Sequence, residues 1–186
     1  MSESINRVAG LEEFRAAWDV AKARPRHDPQ DNQESADGHI NIEGNARCMS
    51  AAIYTPADAE FARALEPGVR PLVEHLVDAL DCITYSSCEG HPPTADGYTM
   101  RVRHVGILPR DAADRDRILA ALEPAALPAS AAGGGIVELR ILEDVLGGDG
   151  PDLPCIDVVF GATRLDWPAY EARVGDVQAA LLAALK

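Results

Sequence analysis

This chain's pattern predicts an α/β fold of the α+β kind. The expected form is a two-layer sandwich, a mainly antiparallel four-stranded sheet with helices packed on one face. Three observations lead there. Apolar residues recur three and four apart along several segments, which is the spacing of amphipathic helices. Other segments alternate apolar and polar residues, as in Val137-Glu138-Leu139-Arg140-Ile141, and read as strands with one wet face. Strands of alternating polarity call for an antiparallel sheet whose helices collect on the apolar side. The length, 186 residues, suits a single domain over 1–186 with a core of useful size.

The first helix is marked by Leu11, Phe14, Trp18 and Ala21, and Pro25 ends it. From Arg24 to Asn45 the chain is polar and carries His27 and His39. A stretch of that length without structure reads as a polar loop, either a lid or a disordered segment. Thr55-Pro56-Ala57-Asp58 has an N-cap, a proline at N1 and a carboxylate at N3, so a helix is expected to about Leu65. Glu66-Pro67-Gly68 interrupts it. Val69, Leu72, Val73, Leu76, Val77 and Leu80 then form the clearest helical stripe in the chain.

A strand follows over Cys82–Ser87, and a second over Tyr98–Leu108. Asp111 caps the next helix, with Asp114 at N3 and Ile118, Leu119 and Leu122 as its apolar face. Pro128 to Gly135 reads as a flexible loop. The strand at Val137–Ile141 and a last strand over Cys155–Gly161 are joined by a glycine-rich connection. Asp166 caps the final helix, whose stripe is Trp167, Tyr170, Val174, Val177 and Leu181.

Charge and cysteine content narrow the function classes. Thirty acidic side chains against 17 basic ones give a formal charge of −13, which repels phosphate backbones and anionic headgroups. A nucleic-acid partner is therefore disfavoured. No apolar run approaches the roughly 20 residues of a membrane span, and Met1 to Gly10 lacks the regions of a signal peptide. A soluble, cytoplasmic protein with no membrane partner is expected. Cys48, Cys82, Cys88 and Cys155 include no C-x-x-C pair, so in a reducing compartment they should be thiols. Cys82 and Cys155, inside apolar runs, read as small buried hydrophobes.

The densest chemistry lies in Thr84-Tyr85-Ser86-Ser87-Cys88-Glu89-Gly90-His91-Pro92-Pro93. A strand ends there in a turn bearing a thiol, a carboxylate, an imidazole and hydroxyls. Gly90 permits positive φ, and the prolines stiffen the exit. Three chemistries are open. Cys88 beside His91 could be a thiolate nucleophile, with Glu89 or Asp96 orienting the base; Cys88, His91 and Glu89 are then the catalytic candidates. Alternatively, Cys88-x-x-His91 has metal-ligand spacing, and His104, His27 or His39 could complete an open three-ligand site. His104 also lies in phase with Met100 and Val102, where a packed histidine fits equally well. Finally, Ser86, Ser87 and Gly90 could form an anion-binding nest. Arg101 and Arg103 on the next strand would then share a polar sheet face with Glu138 and Arg140.

The helix ending in Leu76-Val77-Asp78-Ala79-Leu80, followed by Ile83-Thr84-Tyr85-Ser86-Ser87-Cys88-x-Gly90, resembles the methyltransferase family of tRNA wybutosine synthesis. Ser86, Ser87, Cys88 and Gly90 match that family's turn, whereas Glu89 and His91 replace its serine and arginine. The likeness covers about an eighth of the chain. It implies S-adenosylmethionine at the strand end, and methyl transfer. Ser-Cys-Glu-Gly-His-Pro also resembles a string in small bacterial and phage proteins.

The expected function is thus a cytosolic enzyme acting on a small polar molecule at the Ser86–His91 turn. Its cofactor would be S-adenosylmethionine or a divalent transition metal. The alternative is a non-catalytic ligand-binding or protein-interaction module that uses the same turn as an anion nest.

Overall fold

The computed structural model describes residues 11–22, 56, 61–93, 95, 99–146, 151–162 and 164–185. Among these the elements run α1 (Leu11–Lys22), α2 (Phe61–Ala64), α3 (Arg70–Asp78), β1 (Thr84–Cys88), β2 (Val102–Ile107), α4 (Ala112–Ala132), β3 (Val137–Leu146), β4 (Leu153–Ala162) and α5 (Trp167–Ala184). The strands form one sheet in the order β1-β2-β4-β3, with every neighbouring pair antiparallel. This is the α+β sandwich that the alternation predicts.

Strand register explains why the helices gather on one side. Leu139 stands opposite Phe160, and Phe160 opposite Arg103; Ile141, Val158 and Val105 make the next row. Leu139, Phe160, Val158 and Val105 are buried. They face α3, α4 and α5, whose Leu72, Leu76, Ile118, Leu122, Val174 and Leu181 complete one apolar cluster. Glu138 and Arg140 are on the opposite, wet face of β3, as period-two alternation requires.

α3 begins later than its stripe, with Val69 at the N-cap and a proline in its first turn. At its C-terminus the Cys82 N–H donates to the Leu76 carbonyl at 2.9 Å, spanning Asp81, whose φ is 51°. Such a left-handed residue after a helix is usually glycine; aspartate tolerates that region better than most residues. The closure turns the chain directly into β1.

Two expectations about elements need correction. The Pro128–Gly135 loop is instead the end of a long helix, since α4 runs through Pro124 and Pro128 to Ala132. Each proline removes one backbone donor, but both lie on the exposed side, where water can take the freed carbonyls of Ala120 and Pro124. Ile118, Leu122, Ala125 and Ala129 keep a continuous buried stripe below, and that packing outweighs the local cost. The second strand, expected from Tyr98, begins at Val102, and the chain before it is held by an isolated bridge between His91 and Met100. The 24–45 polar loop or lid with His27 and His39, the N-cap Thr55 and the N3 carboxylate Asp58, Cys48 and Asp96 lie outside the described residues.

α1 is tied on by Arg110. Its guanidinium reaches Asp19 at 2.6 Å and the Asp81 carbonyl at 2.7 Å, while its own backbone N–H donates to Asp114 at 2.9 Å. Asp111 caps α4 by accepting from the Asp114 N–H at 2.8 Å. Among the described residues no helix is long and apolar enough to cross a membrane.

Candidate metal centre

β1 ends at Cys88, and the next three residues turn the chain back on itself. Gly90 has φ +92°, and its N–H donates to Cys88 Sγ at 3.3 Å. The turn closes where His91 N–H donates to the Met100 carbonyl at 2.8 Å and Met100 N–H returns to His91 at 3.1 Å. This fold-back brings His91 Nε2 to 3.3 Å from Cys88 Sγ. Only glycine fits at position 90: a Cβ there would lie 2.7 Å from Tyr170 Oη and 2.9 Å from the Met100 carbonyl. Gly90→Ala is expected to cost roughly 1–3 kcal/mol through strain alone, measured by denaturant melts.

A third ligand arrives from another part of the chain. Glu66, only 7% exposed, sits just before α3. Its Oε1 lies 3.9 Å from His91 Nε2, and its Oε2 accepts from the Glu89 N–H at 2.6 Å. Glu89 reciprocates, its Oε2 accepting from the Gly68 N–H at 2.5 Å. Two carboxylates thus each take an amide of the opposite segment and lock the two turns together. One ligand atom each from Glu66, Cys88 and His91 falls within 4.8 Å of the others, the spacing of donors around one small cation.

Behind the cluster lies a buried cation. Arg103, 5% exposed, donates to Gln178 Oε1 at 3.1 Å and to the Glu89 carbonyl at 3.4 Å. Gln178 in turn donates to the Gly68 carbonyl at 2.9 Å. Tyr170, its hydroxyl pushed up to about 12 mainly by burial, stays protonated and donates to the same Glu89 carbonyl at 3.5 Å. α5 therefore supports both turns, with Arg103 offsetting the carboxylate charge.

Electrostatics change the reading of the thiol. Burial pushes Cys88 up to about 11; the Gly90 N–H pulls it down, and Glu66 and Glu89 add to the rise. The reading of Cys88 as a thiol activated by His91 is corrected to this extent: its value is raised, not lowered. Burial and two carboxylates outweigh the Gly90 amide, so the thiol holds its proton until a cation replaces it.

The other sequence candidates fall elsewhere. His104 Nε2 pairs with Ser86 Oγ at 3.2 Å and is not part of the Glu66–Cys88–His91 cluster; burial holds its imidazole below the ordinary value. Arg101 donates to the Leu165 carbonyl. Arg103 stands in a row with Phe160 and Leu139 on the helix-covered face, whereas Arg140 is in a row with Val159 and His104 on the other. The shared polar face of Arg101, Arg103, Glu138 and Arg140 therefore does not form. Ser87 stands opposite Val105. Cys82 and Cys155 are buried thiols, as their apolar surroundings suggested.

Sequence reasoning passed over Glu66, Tyr170 and Gln178. Glu66-Pro67-Gly68 reads as a helix break, and only its acid at a Pro-Gly junction hinted at more. No family model, curated protein or solved structure matches this chain.

Proposed function

We propose that Glu66, Cys88 and His91 hold a divalent transition metal, with zinc the best fit. In this reading the protein is a cytoplasmic enzyme that uses the ion on a small polar molecule. The observation behind it is the convergence of a carboxylate, a thiol and an imidazole within 4.8 Å. Their ionised forms, two negative and one neutral, balance a divalent charge. Three protein ligands leave a fourth position for water or substrate, the mark of catalytic rather than structural zinc. Bound there, zinc would supply Lewis acidity to an oxygen of the substrate. Glu89, Gly68 and Arg103 would hold the ligands in place, the role that outer partners play in metal sites.

The anion-nest alternative has less support. The amides of Glu89 and Gly90 already donate to Glu66 and Cys88, and two carboxylates flank the turn. Methyl transfer from S-adenosylmethionine rests on the resemblance of the turn alone. A softer ion is the second reading, because Met100 Sδ lies 3.9 Å from Cys88 Sγ and a thioether favours copper(I).

Isothermal titration and elemental analysis of protein with zinc, copper(I) and S-adenosylmethionine test these readings. One zinc per chain is the expected result. Binding of S-adenosylmethionine and of neither metal would overturn the proposal.

Metal affinity should also depend on pH. The thiol's ordinary value is raised to about 11 in the fold, so below that the metal must displace a proton. Between about pH 7.5 and 9.5, zinc affinity should rise about tenfold per pH unit as the thiol's proton becomes easier to displace. A flat profile from titrations in that range would show that the thiol is not a ligand.

A further inference from the structure

We propose that the outer edge of β3 is where two copies of this chain associate, forming one continuous antiparallel sheet. β3 pairs with β4 along all ten residues without a register shift. Its other side has no partner strand among the described residues. Exposed edges are normally blunted by charge, above all lysine, by proline, a bulge or short length; the charges on this strand, Glu138, Arg140, Glu143 and Asp144, are of both signs and so can match a second copy. Val137–Leu146 contains no lysine, proline or bulge and is long for an edge strand. Of the five large hydrophobics exposed among the described residues, Ile136, Leu142 and Val145 lie on or beside it, at 47, 39 and 47%.

The occupant follows from self-complementarity. A two-fold axis normal to the sheet keeps both helical layers on one side, so directly opposed residues must share a face. With Leu142 opposite its own copy, Arg140 meets Asp144 twice on the wet face. Leu139 meets Val145 twice on the other. Neighbouring registers set like charges together: centring on Ile141 opposes Glu138 and Asp144, on Arg140 two arginines, and on Glu143 two glutamates. Centring on Leu139 also pairs Glu138 with Arg140 but leaves Val145 uncovered. Arg140 is free to exchange partners, since its present contact with Glu138, 3.7 Å between two exposed side chains, holds it weakly. A chain of charge −13 resists nonspecific association, which makes these matched charges decisive.

Sedimentation equilibrium over a dilution series tests the interface. The expected mass is that of two copies at high concentration, falling to one on dilution. R140D opposes two acids in each pair and should weaken association by about tenfold or more. Circular dichroism and melts verify that the exposed substitution leaves the fold intact. The swap R140D/D144R reverses each pair and should restore the dimer. Rescue by E138R/R140E instead would keep the interface at this edge, centred on Leu139. A chain that stays single at every concentration, or a dimer indifferent to R140D, overturns the proposal. The outcome does not depend on the metal reading, because β3 contributes no ligand to it.

Discussion

Cys88→Ser is expected to lower zinc affinity by more than the roughly 10–100-fold that losing an outer partner costs. An alcohol does not give up its proton to zinc as a thiol does, and the site loses both its soft donor and a negative charge. The fold should survive, because the change is small and the neighbouring turn is held by the His91–Met100 bridge and the two carboxylate clasps. Glu66→Gln separates coordination from architecture. Its amide oxygen can still accept from the Glu89 N–H, while the charge is gone. Affinity should fall at least tenfold with the melting midpoint little moved. Calorimetric titration of both variants beside the parent gives the answer. If both bind zinc as the parent does, the ion sits elsewhere and the proposed site is only a stitched turn.

Leu76→Ala carries the largest expected effect on stability, roughly 2–5 kcal/mol. Leu76 is fully buried in the stripe that seats α3 on the sheet, and its carbonyl receives the Cys82 N–H that turns the helix into β1. The side chain that is lost leaves a cavity that its neighbours Leu72, Val73 and Val77, themselves buried, can fill only in part. Glu66 lies just before the same helix, so zinc binding should weaken alongside stability. Denaturant melts with an unchanged slope and a lower midpoint would establish the loss. A change below about 1 kcal/mol, the scale of a surface substitution, would mean that α3 does not anchor the core.

The sequence by itself determined the local elements and the face each one buries. Three-and-four spacing fixed the stripe of α3 and the buried side of α5, and aspartate at the helix start fixed the caps at Asp111 and Asp166, because those depend on neighbours within one or two turns. Alternation fixed the wet side of β3. Cys88 and His91 were legible as a pair because a glycine turn can close over three residues, a local event. Tertiary structure decided the rest. Glu66 and Glu89, 23 residues apart, meet only because α3 packs on the sheet and returns the chain to the end of β1. Arg103 and Gln178 meet across 75 residues for the same reason, and their pairing turned an expected polar face into the buried support of the site. α4 outlasts its prolines because α5 and the sheet bury its other side. The thiol keeps its proton because burial and two carboxylates surround it. Periodicity can assign a residue to a face, but it cannot say which distant segment will cover that face or what charge that segment brings.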